Sequence, residues 1–523
     1  MKIDLRFSAA LGICSALGQT LTAQAAIHQQ PNIIYIMSDD HAWQAISAYG
    51  GPLKDLAPTP NIDRIAQNGM RFDRCLVTNS ISGPCRAVLL TGKYSHVNGF
   101  LMNEGGQKPF DGSQQTFPKL LQAAGYQTAI IGKWHLFSDP TGFDFWEILP
   151  GQGNYYNPDF IDKNGRHQES GYVTELITEK CINWLNEAKK SGKPFMLMMH
   201  HKAPHREWEP GPNELTLYKK VKFPEPETLF DDYSGRGTAE KSQDMTISKT
   251  LRIEEDLKLF KDRSKMKNTG LSRMDPQQMA AWDSVYNPII RKFYKSNLSG
   301  QDLIRYKYQR YLQDYLACIA AVDKSVGEVL DFLKSNGLEN NTIVIYASDQ
   351  GFYLGEHGWF DKRWMFEQSY RTPLIIEWPG VTSAGSVNND MVSNLDLAET
   401  FLEMAGVPVP SDMQGRSMVP VLKGNTPRDW RKEHYYHYYE YPGSHSVKRH
   451  YGISTDRYKL VHYYYDIDEW ELYDRVADPL EMKNFYNDRS YASVKRKLHK
   501  RLDKLMDKYG DSMELAKTFL PNK

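Results

Sequence analysis

The sequence predicts an α/β fold, in which helices sandwich a mixed but mainly parallel sheet, followed by a smaller C-terminal α+β subdomain. Short continuous apolar runs alternate with segments of helical periodicity, and a polar cluster directly follows each run. Uninterrupted apolar runs are typical of parallel strands that are covered on both faces, whereas half-exposed strands alternate polar and apolar residues. Beyond residue 427 this alternation stops, and aromatic, strand-like segments follow one another.

The individual elements follow from the same two periodicities. Buried strands are predicted at 32–37, 127–131, 195–199 and 342–346. Helices are predicted at 60–66, 117–124, 172–187 and 312–333, the last from apolar residues that recur on one face. In the C-terminal part we expect strands near 451–453 and 458–461 and a basic helix at 492–509. Because ligands of parallel sheets bind beyond the carboxyl ends of the strands, the polar clusters should meet there.

The chain is long enough, at 523 residues, for more than one subdomain. We expect a signal peptide at residues 1–25, a catalytic domain at 26–426 and the C-terminal subdomain at 427–523. Within the catalytic domain, residues 207–300 are rich in charge and interrupted by prolines. We interpret this stretch as an insertion of helices and loops near the functional site, and not as a separate domain.

The N-terminus carries the three parts of a secretory signal. Lys2 and Arg6 precede the apolar stretch 7–17, and Ala23 and Ala25 form a small-residue cleavage site. The apolar stretch is too short to span a bilayer as a permanent helix. We therefore expect an exported protein, periplasmic or secreted, without a stable membrane span.

Composition narrows the class of protein. Hydrophobic residues make up 41% and aromatic residues 12% of the chain, which excludes a disordered protein. Lys plus Arg and Asp plus Glu both total 64, so the charge balance gives no reason to expect a nucleic-acid partner. The cysteines beyond the predicted signal peptide have no disulfide-framework or zinc-ligand spacing, and we expect small buried side chains: Cys75, Cys85, Cys181 and Cys318.

Oxygen-rich clusters follow two of the predicted strands. Asp39 and Asp40 come after the first strand, and Asp349 and Gln350 come after the fourth. Three carboxylates and an amide oxygen suit a hard divalent cation, and the lack of a Cys/His cluster argues against zinc. Adjacent carboxylates repel each other, so a cation explains why they occur together. For the first pair alone, a metal and a helix-capping role are equally good explanations.

The segment from Ser82 to Lys93 contains the most specific motif of the chain. It begins Ser-Gly-Pro-Cys-Arg and ends, after a spacer, in Thr-Gly-Lys. Taken alone, it is also compatible with a Gly-Pro turn before a helix whose first N–H groups suit an anion. The segment resembles the maturation signature of the formylglycine-dependent sulfatases, in its serine form. Those enzymes belong to the alkaline phosphatase superfamily, and the resemblance implies the same α/β fold here.

The resemblance implies a modified nucleophile. Ser82 stands at the position that is converted to formylglycine (3-oxoalanine), and the serine form implies an anaerobic, radical maturation enzyme as a partner. The aldehyde hydrates to a geminal diol, and one hydroxyl of the diol attacks sulfur. Cys85 occupies the small-residue position after the proline, so it is not the expected precursor.

Two histidine motifs follow predicted strands. A Gly-Lys-Trp-His motif ends in His135, and an Ala-Pro-His motif ends in His205. The resemblance implies that Lys133 binds sulfate, that His135 acts as a base, and that His205 binds sulfate and protonates the leaving group. Judged without the resemblance, His200 and His201 compete with His205, because a histidine at a strand end is often structural.

The resemblance also implies the remaining parts of the sulfate site. Lys362 matches a second sulfate-binding lysine, and Arg86 matches a residue that orients the diol. The implied cofactor is Ca²⁺, with these residues around it: Asp39, Asp40, Ser82, Asp349 and Gln350.

The expected sugar contacts rest on a narrower similarity. The chain is similar to bacterial glycan sulfatases, especially those acting on 6-sulfated N-acetylglucosamine, which implies that Asp361 and Arg363 contact sugar hydroxyls. A local salt bridge between these two residues is an equally good explanation. We also expect Arg449 and His450 of the C-terminal subdomain to close the pocket, with an exposed basic turn as the alternative.

The predicted function is hydrolysis of a carbohydrate sulfate ester, the 6-O-sulfate of N-acetylglucosamine. Three alternatives stay open: another sugar sulfatase, acting on a 2-O-sulfated uronate or galactose 6-sulfate; a phosphodiesterase or phosphonate hydrolase of the same superfamily; or a silent protein that binds sulfated glycans and leaves Ser82 unconverted. The resemblance covers nearly the whole mature chain and is weakest in the 207–300 insertion.

Overall fold

A computed structural model describes residues 30–104 and 106–520, so the predicted signal peptide at 1–25 lies outside the described residues. A large mixed sheet lies between two layers of helices, and a second, four-stranded sheet lies near the C-terminus. This arrangement confirms the predicted fold class. Within these two ranges, no helix is long and apolar enough to cross a membrane.

The strands are β1 Asn32–Ser38, β2 Met70–Leu76, β3 Gln127–Lys133, β4 Phe145–Leu149, β5 Asp159–Asp162, β6 Gly165–Gln168, β7 Phe195–His200, β8 Thr342–Ser348, β9 Tyr353–Leu354, β10 Phe360–Asp361, β11 Arg371–Glu377, β12 Ser386–Asn388, β13 Val392–Ser393, β14 Glu433–Tyr438, β15 His450–Thr455, β16 Tyr458–Tyr463 and β17 Glu469–Asp474. The α-helices are α1 Pro60–Asn68, α2 Ser82–Thr91, α3 Ser95–Asn98, α4 Phe117–Ala123, α5 Val173–Ala188, α6 Thr238–Ser242, α7 Pro276–Ser296, α8 Gly300–Ser335, α9 Glu367–Tyr370, α10 Leu397–Met404, α11 Val419–Leu422, α12 Ala492–Tyr509 and α13 Met513–Thr518.

The centre of the main sheet is parallel. The strand order is β12-β2-β11-β8-β1-β7-β3-β4-β5-β6, with β13 beside β2. Strands β8, β1, β7, β3 and β4 pair in parallel, whereas β11 and β5 join them in antiparallel fashion at either side. The carboxyl ends of the five central strands therefore lie along one edge of the sheet, where a ligand site is expected.

The two faces of the sheet belong to two hydrophobic cores. Successive side chains of β1 point to opposite faces. Ile34 and Ile36 lie in the core that also contains residues of α1, α5 and α8. Ile33, Tyr35 and Met37 lie in the core that contains residues of α2, α4 and α10. Burial on both faces is the physical reason why the sequence of β1 is continuously apolar.

The 207–300 segment packs against α8 and forms no core of its own. The Trp208 ring lies 4.5 Å from the ring of Tyr311, and the Tyr286 hydroxyl donates to Asp314 at 2.9 Å. Helix α8 is longer than the predicted 312–333 because its first turns are polar and are partly covered by this segment. Helices and turns are what the sequence predicted here.

The C-terminal unit is an antiparallel sheet with one amphipathic helix. Strands β14 to β17 pair in sequence order. Helix α12 coincides with the predicted helix at 492–509 and buries Leu498, Leu502 and Leu505 against the sheet. The division of the chain at residue 427 stays a prediction.

Candidate active site

The predicted site residues meet at the carboxyl edge of the main sheet. Strands β1 and β8 are parallel neighbours in register, with Ser38 beside Ser348, so Asp39 and Asp349 follow side by side. Strands β3 and β7 end nearby, with Gly132 beside His200. Parallel pairing is therefore what collects residues that are more than three hundred positions apart in the chain.

Several of these residues have a left-handed backbone conformation, which sets the direction of their side chains. The values of φ are +64° at Asp40, +58° at His135, +78° at Asp361 and +89° at Arg363. Positive φ is uncommon outside glycine, and such residues cluster at functional sites. Gly132, with φ of +104°, permits another close approach, because a Cβ there would lie 2.0 Å from the His200 carbonyl oxygen.

Ser82 begins helix α2 and lies at the bottom of the site. Every residue of this helix is buried. The Ser82 hydroxyl donates to Asp39 Oδ1 at 3.0 Å. Because the first N–H groups of a helix have no partner within the helix, this end of α2 favours a negatively charged ligand.

Cys85 is one turn further along α2 and has a structural role. Its thiol contacts the Asn79 carbonyl oxygen at 2.9 Å, and burial raises the pKa of the thiol well above its usual value. A thiol in that state is a poor nucleophile. The contrast with Ser82 fits the predicted choice of precursor.

Arg86 connects helix α2 to the candidate metal ligands. Its guanidinium donates to Asp349 Oδ2 at 3.0 Å and to the Lys133 carbonyl oxygen at 2.8 Å. Although burial opposes it, Arg86 together with Lys133 holds the pKa of Asp349 below its usual value. Asp349 is therefore ionised at neutral pH.

Two buried lysines contact the aspartates of β1. Lys133 Nζ contacts Asp39 Oδ2, and Lys362 Nζ lies 2.7 and 2.8 Å from the two carboxylate oxygens of Asp40. Burial lowers the pKa of Lys133 well below its usual value. For Lys362, burial acts in the same direction, but Asp40 outweighs it and raises the pKa. Cations and carboxylates thus alternate around Ser82.

The oxygen ligands fit a divalent cation. Gln350 is fully buried, its amide nitrogen donates to Asp40 Oδ1 at 2.5 Å, and its carbonyl oxygen Oε1 has no hydrogen-bond partner in the described part of the chain. Ligand atoms of Asp39, Asp40 and His205 lie within 4.8 Å of one another. Burial raises the pKa of Asp40 to about 7. A hard cation satisfies the orphaned oxygen and favours the ionised carboxylates.

His135 and His205 have different partners near this cluster. His135 Nε2 lies 3.3 Å from the amide nitrogen of Gln152, a residue that also contacts Lys133. His205 Nε2 lies 3.8 Å from Asp40 Oδ2. Burial, reinforced by neighbouring cations, holds the pKa of both rings well below the usual value. Both histidines are therefore neutral while the site holds no anion.

The two competing histidines have internal partners. His200 Nδ1 lies 3.1 Å from the Lys133 carbonyl oxygen, and His201 Nε2 lies 3.1 Å from the Ser325 hydroxyl. Both rings are buried. His200 thus contacts the end of strand β3 and His201 contacts helix α8, whereas His205 reaches the carboxylate cluster.

Asp361 and Arg363 form a buried network that includes the C-terminal unit. Arg363 Nε donates to Asp361 Oδ1 at 3.2 Å, and Arg363 Nη1 contacts Glu440 Oε1. His445 Nε2 lies 3.3 Å from Asp361 Oδ2. The predicted salt bridge is present, but both residues are buried and are tied to a second sheet, so it is not a surface pair.

The structure places His450 and Arg449 in the interior, so the alternative of an exposed basic turn is wrong, whereas the contact of His450 with substrate stays a prediction. His450 is fully buried and its ring packs against four aromatic rings, those of Trp364, Tyr436, Tyr438 and Tyr463. Its Nδ1 donates to the Lys448 carbonyl oxygen at 2.7 Å. Arg449 is also buried and donates to the Tyr441 and Phe519 carbonyl oxygens. Aromatic packing accounts for the burial of His450.

A cavity of about 340 Å³ opens beside His205. It is lined by Gln152, Gly153, Asn154, Tyr155, Lys202, His205, Arg206, Glu207, Glu209, Arg252 and Gly270. Four of these residues come from the 207–300 segment. The 207–300 segment therefore supplies one wall of the cavity beside His205.

Sequence reasoning missed several residues that hold the site together. Gln152 contacts Lys133 and is near His135, and Glu440 holds Arg363. Neither lies in a motif or at the end of a predicted strand, and no local spacing marks them. For Lys202 a signal existed, since it is three positions before His205 in the same segment.

Two family models match the chain. The model described as "Sulfatase" matches residues 31–407, and the model described as "N-sulphoglucosamine sulphohydrolase, C-terminal" matches residues 355–508. The chain belongs to the sulfatase family. It is thus a sulfuric ester hydrolase by family, and the predicted family is confirmed.

Individual sulfatases extend this result over most of the chain. An N-acetylglucosamine-6-O-sulfatase of Bacteroides thetaiotaomicron is 52% identical over 92% of this chain and 88% of its own. A sulfatase solved in complex with its substrate D-glucosamine-2-N,6-O-disulfate is also 52% identical, with a TM-score of 0.89 over 93% of this chain and 99% of that one. The human N-acetylglucosamine-6-sulfatase is 25% identical over 78% of this chain and 67% of its own.

Proposed function

We propose that this protein hydrolyses the 6-O-sulfate ester of N-acetylglucosamine units in sulfated glycans. The observation that carries the proposal is Ser82 at the start of a buried helix, bonded to Asp39 and accompanied by the cations of Arg86, Lys133 and Lys362. A relative 52% identical over 92% of the chain bears the name of this activity.

Position 82 supplies the nucleophile. In the mature enzyme, hydrated formylglycine at this position supplies the hydroxyl that attacks sulfur. Asp39 accepts a hydrogen bond from the position-82 side chain, and the first turn of α2 presents backbone N–H groups to an anion. The maturation enzyme is the anaerobic radical type implied by the serine.

Calcium fits the oxygen cluster of Asp39, Asp40, Asp349 and Gln350. When bound, Ca²⁺ neutralises negative charge on the sulfate oxygens and acts as a Lewis acid. Gln350 offers an unpartnered Oε1, and Asp349 is held ionised by Arg86. The side chain at position 82 adjoins this cluster through Asp39.

The buried lysines bind the sulfate. Lys133 and Lys362 contact aspartates in the free site, so both ammonium groups are already in place when an anion arrives. Their fixed positions stabilise charge that develops on sulfate oxygens without reorganisation of the site.

His205 and His135 move the protons. His205 is neutral in the free site because of burial and the neighbouring lysines. A bound sulfate ester adds negative charge next to the ring and raises its pKa, which prepares His205 to protonate the leaving sugar oxygen. His135 is kept neutral by burial and by Lys133. The Gln152 amide nitrogen donates to its Nε2, so Nε2 is the unprotonated ring nitrogen and the one that can accept a proton.

The sugar is held by Asp361 and Arg363. A carboxylate accepts from one hydroxyl and a guanidinium donates to another, so the pair recognises a particular arrangement of hydroxyl groups. The backbone at both residues is left-handed, which turns these side chains out of the regular path of strand β10. The signal-like N-terminus supports export to the periplasm or beyond, where such glycans are available.

Two measurements test the proposal. Mass spectrometry of the peptide that contains position 82 should show formylglycine in protein made in a host with the radical maturation enzyme. The kcat/KM should be highest for N-acetylglucosamine 6-sulfate, lower for its galactosamine epimer, and lowest for a 2-O-sulfated uronate and for aryl phosphates. An unconverted Ser82 in the native protein would instead support a silent glycan-binding protein. A preferred phosphate ester would favour a phosphohydrolase.

A further inference from the structure

The cavity beside His205 contains charges that the proposed mechanism does not use. Its walls come from three sources: the loop 152–155 after strand β4, the segment after strand β7, which carries Lys202 and His205, and the 207–300 insertion, which carries Glu209. Its volume of about 340 Å³ is at the lower end of the range for small-molecule sites, roughly 300–1,000 Å³. It is large enough for a ligand group and not only for a water molecule.

The two arginines of the cavity are already neutralised. Arg206 forms a bidentate pair with Asp256, at 2.6 and 2.7 Å. Arg252 also contacts Asp256 and donates to Glu207 at 3.0 Å. These ion pairs build the rim and leave no unmatched charge on it.

Lys202 differs from these two arginines, because its ammonium has no carboxylate partner in the part of the chain that the structure describes. Only 4% of the residue is exposed, and its Nζ lies 4.6 Å from the centre of the Tyr155 ring, which lines the same cavity. Among residues 30–104 and 106–520, no carboxylate lies within 4.0 Å of this Nζ. Burial therefore lowers the pKa of Lys202, and the nearby charge of Glu209 only partly offsets this.

Glu209 is the second unmatched group. It is 3% exposed, and its Oε2 has no hydrogen-bond partner in the described chain. Burial raises the pKa of Glu209 to about 7. Gly270 of the insertion fits closely against it, since a Cβ there would lie 2.8 Å from Glu209 Oε1. An unpartnered cation and an unpartnered carboxylate thus face one cavity next to the proposed leaving-group acid.

We propose that this cavity is a second anion subsite of the enzyme, in which Lys202 binds a second sulfate or carboxylate group of the glycan and Glu209 accepts a hydrogen bond from an adjacent hydroxyl or N–H. The inference rests on the proposed function and assigns a further specificity to the same site. An anion restores the partner that Lys202 lacks, and a sugar hydroxyl or amide N–H can donate to the part of the Glu209 carboxylate that lines the cavity. The insertion then determines which neighbouring charges the enzyme tolerates.

The second anion has two sources in a glycan, and ligands separate them. One is an N-sulfate on the 6-sulfated sugar itself, and the other is the carboxylate of an adjoining uronate. Calorimetry on the calcium-loaded full chain with Ser82→Ala, which cannot turn the ligand over, should compare three ligands. They are N-acetylglucosamine 6-sulfate, glucosamine 2-N,6-O-disulfate, and a disaccharide of N-acetylglucosamine 6-sulfate with a uronate. At least one dianionic ligand should bind about tenfold or more tightly than the monosulfate.

Three substitutions in that background make the test specific. Lys202→Met keeps most of the side-chain volume but removes the charge, and it should abolish the preference for the dianionic ligand. Lys432→Met is the matched control at an exposed lysine outside the cavity, and it should leave the preference unchanged. Glu209→Gln keeps an acceptor oxygen and removes a negative charge, so the preference should be retained or should increase. Because the preference for the dianionic ligand should not fall in Glu209→Gln, unlike in Lys202→Met, this variant tests the proposal if Lys202→Met does not fold.

The outcomes separate the two proposals. If all three ligands bind equally, or if the preference survives Lys202→Met or is lost in Glu209→Gln, the subsite is wrong while the 6-sulfatase activity stands. If none of the 6-sulfated ligands binds and the converted wild-type enzyme does not hydrolyse them, both proposals are wrong.

Discussion

The bottom of the active site and its sugar-facing side are built in different ways. At the bottom, every charged group except Lys362 lies at the end of a strand of the parallel sheet or in helix α2, and each contacts a group of opposite charge. On the sugar-facing side, Arg363 is held by Glu440 from the C-terminal unit, and the cavity wall comes from the insertion. There, Lys202 and Glu209 lack partners among the residues described.

The groups proposed to carry out the reaction and the groups proposed to recognise the sugar are therefore held in place differently. Groups at strand ends are fixed by the hydrogen bonds of the sheet, so their positions tolerate little change. The contact between Arg363 and Glu440 joins two side chains, and such a contact can change without disturbing the main sheet. The largest losses of activity should therefore come from the bottom of the site, and changes of specificity from its sides.

The largest expected effect is at Ser82. Ser82→Ala removes the precursor of the nucleophile, and turnover of a sulfate ester should fall by about 10⁴-fold or more. Cys85→Ser is the matched control in the same helix, and it should retain most of the activity because the thiol only contacts Asn79. The check is kcat with an aryl sulfate, together with mass spectrometry at position 82. Loss of activity in Cys85→Ser with retention in Ser82→Ala would reverse the assignment.

The next effect is at Asp349, which links the cation cluster to Arg86. Asp349→Asn should lower kcat/KM by at least about 100-fold and abolish stoichiometric calcium. Chelation should lower the melting temperature of the wild type by several degrees but barely change that of the variant, since a ligand that binds only the folded state stabilises it. Metal analysis and thermal unfolding measure both effects, with Asp429→Asn on the surface as control. Stoichiometric zinc, or full activity after exhaustive chelation, would contradict the calcium site.

A smaller and more selective loss is expected at Arg363. Arg363→Ala removes the buried partner of Glu440, one of the contacts of Asp361 and the proposed donor to a sugar hydroxyl. Loss of a charged hydrogen bond to the sugar costs about 2 kcal/mol or more, so kcat/KM should fall by about 30-fold or more. Discrimination between glucosamine and galactosamine 6-sulfates should also decrease. Arg416→Ala removes the exposed pair with Asp429 and should change neither quantity. An unchanged kcat/KM for the preferred sugar in Arg363→Ala would show that the pair is structural only.

The smallest effect is expected at His450. His450→Phe preserves the aromatic packing and removes one hydrogen bond to Lys448, so the free energy of unfolding should fall by about 1 kcal/mol. The kcat/KM should stay within about twofold of the wild type, since the ring is buried. Denaturant unfolding and steady-state kinetics measure the two quantities. A large loss of activity without a loss of stability would instead support the predicted substrate contact of His450.

The sequence was sufficient for the sheet and for the bottom of the site. Continuous apolar runs reveal strands such as β1 and β8, and the polar residues that follow them, Asp39 and Asp349, must meet because parallel strands end at one edge. Glu440 and His450 could not be placed in this way. One contacts Arg363 and the other packs in an aromatic core, although they lie in the same hairpin, and only the register of strands β14 and β15 decides this. Long-range contacts of this kind leave no local periodicity.

The complete burial of helix α2 also bears on the order of two events, the modification of Ser82 and the folding of the chain. Residues 82 to 86 are all buried in the folded protein, so a protein-sized maturation enzyme cannot reach them there. If Ser82 is converted as proposed, its oxidation has to precede folding. A chain that folds first keeps an unmodified Ser82, because the maturation enzyme cannot reach it afterwards. The yield of active enzyme then depends on the rate of oxidation relative to the rate of folding.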